Sequence, residues 1–211
     1  MENKTDLEPV PIVYVIDDDA SMQVALEDLL SSVGLCVRVF SSTHEFLKHT
    51  MVDAPGCLVL DVRLPEQSGM DFHRQMQALG LDLPVVFITG HGDISMSVSA
   101  MKHGAIDFLS KPFCDQDLLE AIQKGIEKDK QRRQQEHVDT ALRARWLSLT
   151  EGERKVIRLV VKGLLNKQIA HELHLSEVTI KVRRAQAMRK MQVSNLVELV
   201  RLMDRLEKKL P

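Results

Sequence analysis

Residues 12–19 read IVYVIDDD: five apolar, mostly β-branched residues, then three aspartates in a row. A continuous apolar run of this length suits a strand covered on both faces. The pattern recurs twice, with Cys57–Leu60 (CLVL) running into Asp61 and Val85–Ile88 (VVFI) running into Thr89. Val37–Phe40 (VRVF) and Ala105–Leu109 (AIDFL) fit two weaker strands, the second followed by Lys111. Between these runs, helical spacing predicts helices over about 20–33, 43–51, 68–79 and 93–103, and one from near Asp115. Five strands alternating with five helices predict an α/β fold, a doubly wound five-stranded parallel sheet. Right-handed crossovers then bring every strand C-terminus to one edge, where such sheets bind ligands.

The charge is divided unevenly along the 211 residues. Residues 1–126 carry 19 acidic and 8 basic side chains, a net of −11, while residues 127–211 carry 11 and 20, a net of +9. The small overall charge of −2 therefore hides a dipolar chain whose basic half suits an anionic polymer or surface. No apolar run is long enough for a membrane span. The polar, acidic stretch Met1–Pro9 is unlike a signal or transit peptide, so a cytoplasmic protein without a membrane partner is expected. Cys36, Cys57 and Cys114 form no CxxC, sit among apolar residues and read as reduced core filler.

The first unit is expected over 10–126. Beyond it, Glu127–His137 (EKDKQRRQQEH) has no strong hydrophobe, Gly or Pro and is made largely of helix formers, which predicts a solvated helical linker over 127–147. Val138, Leu142 and Trp146 resume a helical spacing into a last domain over 148–211. Thr150 and Glu153 form a capping box for a helix that stops at Gly163. Further helices over about Asn166–Leu173, after Ser176 and from Asn195 complete an all-α four-helix unit.

Asp17, Asp18, Asp61, Thr89 and Lys111 all follow strands, so the parallel sheet gathers them at one edge. Crowded carboxylates repel one another, and a Mg²⁺ ion relieves the conflict while leaving room for waters and a phosphate. The added hydroxyl and ammonium suit phosphoryl transfer to a carboxylate. The order of these residues, with the phrases "LDVRLPEQSGMD" and "GAIDFLSKPF", resembles the receiver domain of two-component response regulators, a flavodoxin-like fold. That resemblance implies a phosphoryl group passed from a sensor histidine kinase to Asp61. It implies a Mg²⁺ (or Mn²⁺) ion held by Asp17, Asp18, Asp61 and the carbonyl of Arg63. It further implies phosphate contacts from Thr89 and Lys111, a switch role for Phe108 and a cis bond before Pro112. Arg63 and His91 stand where the family tunes phosphate lifetime. Leu64 and Ser68 replace the commoner Met and Asp.

The segment from "LTEGER" through "NKQIAHEL" and "SEVTIKV" to "ELVRL" resembles the LuxR/FixJ-type helix-turn-helix domain. Gly152, Arg183 and Gln192 depart from its commoner Pro or Arg, His and Gly. At helical spacing the third helix puts Ile180, Ala187 and Met191 on one side and Val178, Val182, Ala185 and Arg189 on the other. Small apolar groups beside long donors suit a major groove of double-stranded DNA. The resemblance makes Lys181, Val182 and Ala185 base contacts, and Asn166, Lys167, Thr179, Arg183, Arg184 and Arg189 phosphate contacts. Arg154 and Lys162 read as solvated.

The implied function is a FixJ-like transcription factor, homodimeric when phosphorylated, with RNA polymerase as a further partner. It is no enzyme beyond self-catalysed phosphoryl transfer to and hydrolysis from Asp61. An alternative is a Mg²⁺-dependent phosphohydrolase, but such enzymes need a second acid/base Asp just past the nucleophile, and Val62 and Arg63 follow Asp61. A receiver that acts unphosphorylated is a third reading.

Overall fold

The computed structural model describes residues 9–65, 67–90 and 94–207. Among them β1 (Ile12–Ile16), β2 (Cys36–Phe40), β3 (Gly56–Asp61), β4 (Val85–Thr89) and β5 (Asp107–Ser110) form one parallel sheet in the order β2-β1-β3-β4-β5. Interleaved with them are α1 (Ala20–Ser32), α2 (Thr43–Lys48), α3 (Gly69–Met76), α4 (Ile94–Lys102) and α5 (Asp115–Leu147). The sheet has a core on each face, as its unbroken apolar runs require. Tyr14, Leu58, Leu60 and Phe87 pack with Phe46, Phe72 and Met76. Val13, Val15, Val59, Val86 and Ile88 pack with Leu26 and Leu30 of α1 and Leu118, Ala121 and Ile122 of α5. Strand order reverses between β1 and β3, which opens a crevice at their C-terminal ends.

Several expected boundaries move. α2 stops at Lys48 because His49 takes an extended backbone, and α3 ends at Met76 ahead of a turn with Gly80 at φ +71°. β5 starts at Asp107, and the expected start of α4 at residue 93 lies outside the described residues, as do residues 1–8 of the acidic leader. Cys57 is buried, and burial followed by the nearby Asp129 pushes its thiol up to about 12. Cys36 and Cys114 are exposed instead of filling the core, one on edge strand β2 and the other just ahead of α5.

The expected solvated helix beyond residue 126 is helical but not wholly solvated. Gly125 lets α5 approach β3, since a Cβ there would lie 2.5 Å from the sulfur of Cys57. One turn on, Asp129 is fully buried and accepts a hydrogen bond from the Gly56 amide at 2.9 Å. Arg132 and Arg133 both donate to it, and Arg133 also reaches Asp53 at 2.6 Å. A buried charge is tolerated when it is paired and hydrogen-bonded, and Asp129 has both.

The chain divides into two compact units, one up to Arg133 and one from Gln134. In the second, Leu142 and Trp146 of α5 join α6 (Glu151–Val161), α7 (Asn166–Glu172), α8 (Glu177–Met191) and α9 (Leu196–Glu207) around one core. The capping box at Thr150 forms, and Glu153 also takes Lys190 at 2.8 Å. Burial raises the Glu153 carboxyl, but Lys190 and Thr150 outweigh it and hold the group below its usual range. Arg154, expected in solvent, instead donates to the carbonyls of Leu149 and Leu147 and so satisfies acceptors left near the end of α5. No helix among the described residues is long and apolar enough to cross a membrane.

Candidate functional site

The acidic crevice is built from strand ends. Asp17 leaves β1, Asp61 closes β3, Thr89 closes β4, and Lys111 follows β5. Lys111 Nζ donates to Asp17 Oδ2 at 2.6 Å and to Asp61 Oδ2 at 2.7 Å, joining groups 94 and 50 positions apart. Its own amide donates to the Thr89 carbonyl at 2.7 Å, which fixes the ammonium's root. Asp17 and Thr89 are buried, Asp61 nearly so, and Asp18 is exposed at the rim. The second oxygen of Asp61 accepts from the Arg63 amide at 2.8 Å, and that of Asp17 from the Asp19 amide at 2.9 Å. Asp19 in turn caps α1.

Burial lifts the Asp17 carboxyl above its ordinary range despite the hydrogen bond from Lys111. Burial also works against the Lys111 ammonium, but its bonds to Asp17 and Asp61 outweigh this and raise it. Oxygen atoms of Asp17, Asp18 and Asp61 all lie within 4.8 Å of one another. Three carboxylates against one ammonium leave net negative charge at a set of hard oxygen donors, and such a set fits a small divalent cation. Phe108 on β5 is half-buried, its ring 6.2 Å from that of Phe87. The Lys111–Pro112 peptide bond is cis. His91 lies outside the described residues.

Gly69 belongs to this crevice although the sequence reading gave it no role. A Cβ there would stand 2.2 Å from the carbonyl oxygen of Asp61, and the Gly69 amide donates to Val62 O at 3.0 Å. Only a residue without a side chain lets the start of α3 press on the backbone of Asp61. The one outward sign was a Ser-Gly pair at the helix start, where Ser68 caps α3.

In the second unit α8 buries Ile180, Ala187 and Met191 and exposes Val178, Lys181, Val182, Ala185 and Arg189. Val178 is 70% and Val182 50% exposed, so the apolar tips of this face stand largely in solvent. Lys181 is loosely paired with Glu177 at 3.4 Å. Ser176 caps the helix through the Thr179 amide and also meets the Thr179 hydroxyl at 2.8 Å. Arg184 donates to Asn166 Oδ1 at 3.0 Å and ties α8 to the start of α7, while Lys167 is exposed. Two of the departures from the family pattern meet here. The Arg183 guanidinium lies over Gly152, where a Cβ would come within 2.8 Å of it.

Comparison with known proteins matches each unit. The family described as response regulator receiver domain matches residues 13–123, and that described as bacterial regulatory proteins, luxR family, matches residues 147–203. Nodulation protein W of Bradyrhizobium diazoefficiens is 46% identical over 96% of this chain and 89% of its own length. Transcriptional regulatory protein FixJ of the same organism is 43% identical over 90% of this chain and 93% of its own. The solved structure of the response regulator StyR shares 46% identity, with a TM-score of 0.84 over 92% of this chain and 98% of that one.

Proposed function

The chain belongs to the two-component response regulators that join a receiver domain to a LuxR-type DNA-binding domain, and from that membership we propose that phosphorylation of Asp61 controls its binding to DNA. The receiver takes in residues 10–126 and the DNA-binding domain 148–211, with 127–147 between them. The observation that carries the reading is the double grip of Lys111 on Asp17 and Asp61.

A carboxylate oxygen of Asp61 attacks the phosphorus of a phosphohistidine on a sensor kinase. The phosphorus–nitrogen bond breaks, and the imidazole departs. Asp17, Asp18, Asp61 and the Arg63 carbonyl would hold Mg²⁺ or Mn²⁺, which when bound supplies positive charge to the phosphoryl oxygens. Lys111 exchanges its bond to Asp61 Oδ2 for one to a phosphoryl oxygen, and the Thr89 hydroxyl takes another. Movement of Thr89 leaves space for Phe108 to turn inward, which changes the outer surface of α4 and β5. That surface dimerises the protein and sets two recognition helices on two half-sites, from which it engages RNA polymerase. On α8, Lys181, Val182 and Ala185 read bases, while Asn166, Lys167, Thr179, Arg183, Arg184 and Arg189 position the backbone.

The test compares wild type with Asp61→Asn in DNA binding, with and without a small phosphodonor. Wild type tightens on phosphodonor and the variant does not. Equal tightening of both would reject the role of Asp61, and no response in wild type would favour a receiver that acts unphosphorylated.

A further inference from the structure

A second polar site lies at the opposite edge of the sheet. Leu83 and Pro84 lead into β4 beside a cleft of about 440 Å³, which α3, the turn after α4 and α5 enclose. The walls bring His73 from α3, His103 from the turn and Lys128 from α5, beside Arg74 of α3, which is paired with Asp71. Among the described residues, none of the three is ion-paired with a carboxylate. His73 and His103 lie within residues 1–126, the stretch of net charge −11, and Lys128 follows just beyond it.

We propose that this cleft binds a small organic dianion, with carboxylate or phosphate groups on an apolar body, its charged end held by His73, His103 and Lys128. The groups are fixed in place but keep nitrogen atoms that a ligand can reach. His73 sits edge-on against Phe87 at 5.4 Å. Nδ1–H of His103 donates to the Ser99 carbonyl at 2.7 Å, and in the imidazolium form Nε2–H is a second donor directed to a ligand. Lys128 makes only a long 3.5 Å contact with the Gly104 carbonyl, so most of its hydrogen-bonding capacity is open. Burial, and then His103 and Lys128, push the His73 imidazole below its ordinary range, so a bound anion would supply the counter-charge that lets the ring keep a proton. Arg132, which also lines the cleft, is committed to the buried Asp129. The buried Met76 and Leu83 give the cleft an apolar floor for the ligand's body. The acids of the lining are Asp82 and Asp129, and Asp129 is already taken by Arg132 and Arg133.

The reading is independent of Asp61, and its test keeps the two apart. Phthalate is the probe because it carries two carboxylates on a ring and cannot donate a phosphoryl group. The full chain, isotope-labelled and kept free of divalent ions with a chelator, is titrated by NMR. Saturable shifts of the His73 and His103 imidazoles and the Gly104 amide are expected. Lys128→Gln, a change at an exposed side chain, weakens binding about fivefold, the scale of one partly exposed ion pair. Lys124→Gln, on the same helix but outside the cleft, leaves binding unchanged. Shifts that fail to saturate, shifts confined to the basic second unit, or equal affinity in Lys128→Gln would each overturn the proposal.

Discussion

Lys111 occupies the position that makes the crevice legible from sequence alone. Its neighbours Asp17 and Asp61 are far off in the chain, yet each directly follows or closes a strand, and parallel strands bring their ends together. Gly69 was not legible, because its reason is a backbone oxygen that approaches only after α3 has docked. The face of α8 was legible from helical spacing, and the exposed Val178 and Val182 lie where that spacing put them. Its polar ties were not: the bond from Arg184 to Asn166 and the seat of Arg183 on Gly152 depend on how α6, α7 and α8 cross. At this scale two lysines should behave differently. Lys181→Ala relaxes sequence preference by about 1–3 kcal/mol in competition binding against altered operators. Lys167→Ala weakens all sequences alike and flattens the salt dependence of binding. Equal losses on all sites for Lys181→Ala would remove it from the bases.

Helix α5 shows what a pattern of charges conceals. A run such as EKDKQRRQQEH reads as solvated because no apolar stripe marks a buried side, yet Asp129 is buried to the last atom. Arginines three and four positions on were the available signal, since they can pair with an inward carboxylate on the same helix face. Asp129→Ala would leave the Gly56 amide without an acceptor, while the two arginines keep access to water. The expected loss is therefore about 1–3 kcal/mol, the penalty of one buried unsatisfied donor, in chemical denaturation of the first unit. A variant as stable as wild type would show that the bond contributes nothing. At the end of α8 the left-handed Gln192, φ 56°, carries a backbone strain that glycine avoids. Gln192→Gly should stabilise the second unit by about 1 kcal/mol, measured as a higher unfolding midpoint.

Across the whole molecule, an acidic half and a basic half divide the chemistry. The first half gathers carboxylates around one ammonium, and the second offers a cationic helix face with apolar tips. The charge asymmetry and the alternation of strands and helices were visible in the sequence because both are sums over many residues. The positions of single charged groups, Arg154 and Asp129 among them, were set by packing and became visible only in the fold. The central claim is that Asp61 takes a phosphoryl group within the grip of Lys111. The most direct test is to expose the chain to a small phosphodonor with Mg²⁺ and map the modification by mass spectrometry of its peptides. One phosphoryl group on Asp61, absent from Asp61→Asn and dependent on the metal, is the predicted result. Modification at another residue, or undiminished incorporation in Asp61→Asn, would contradict it.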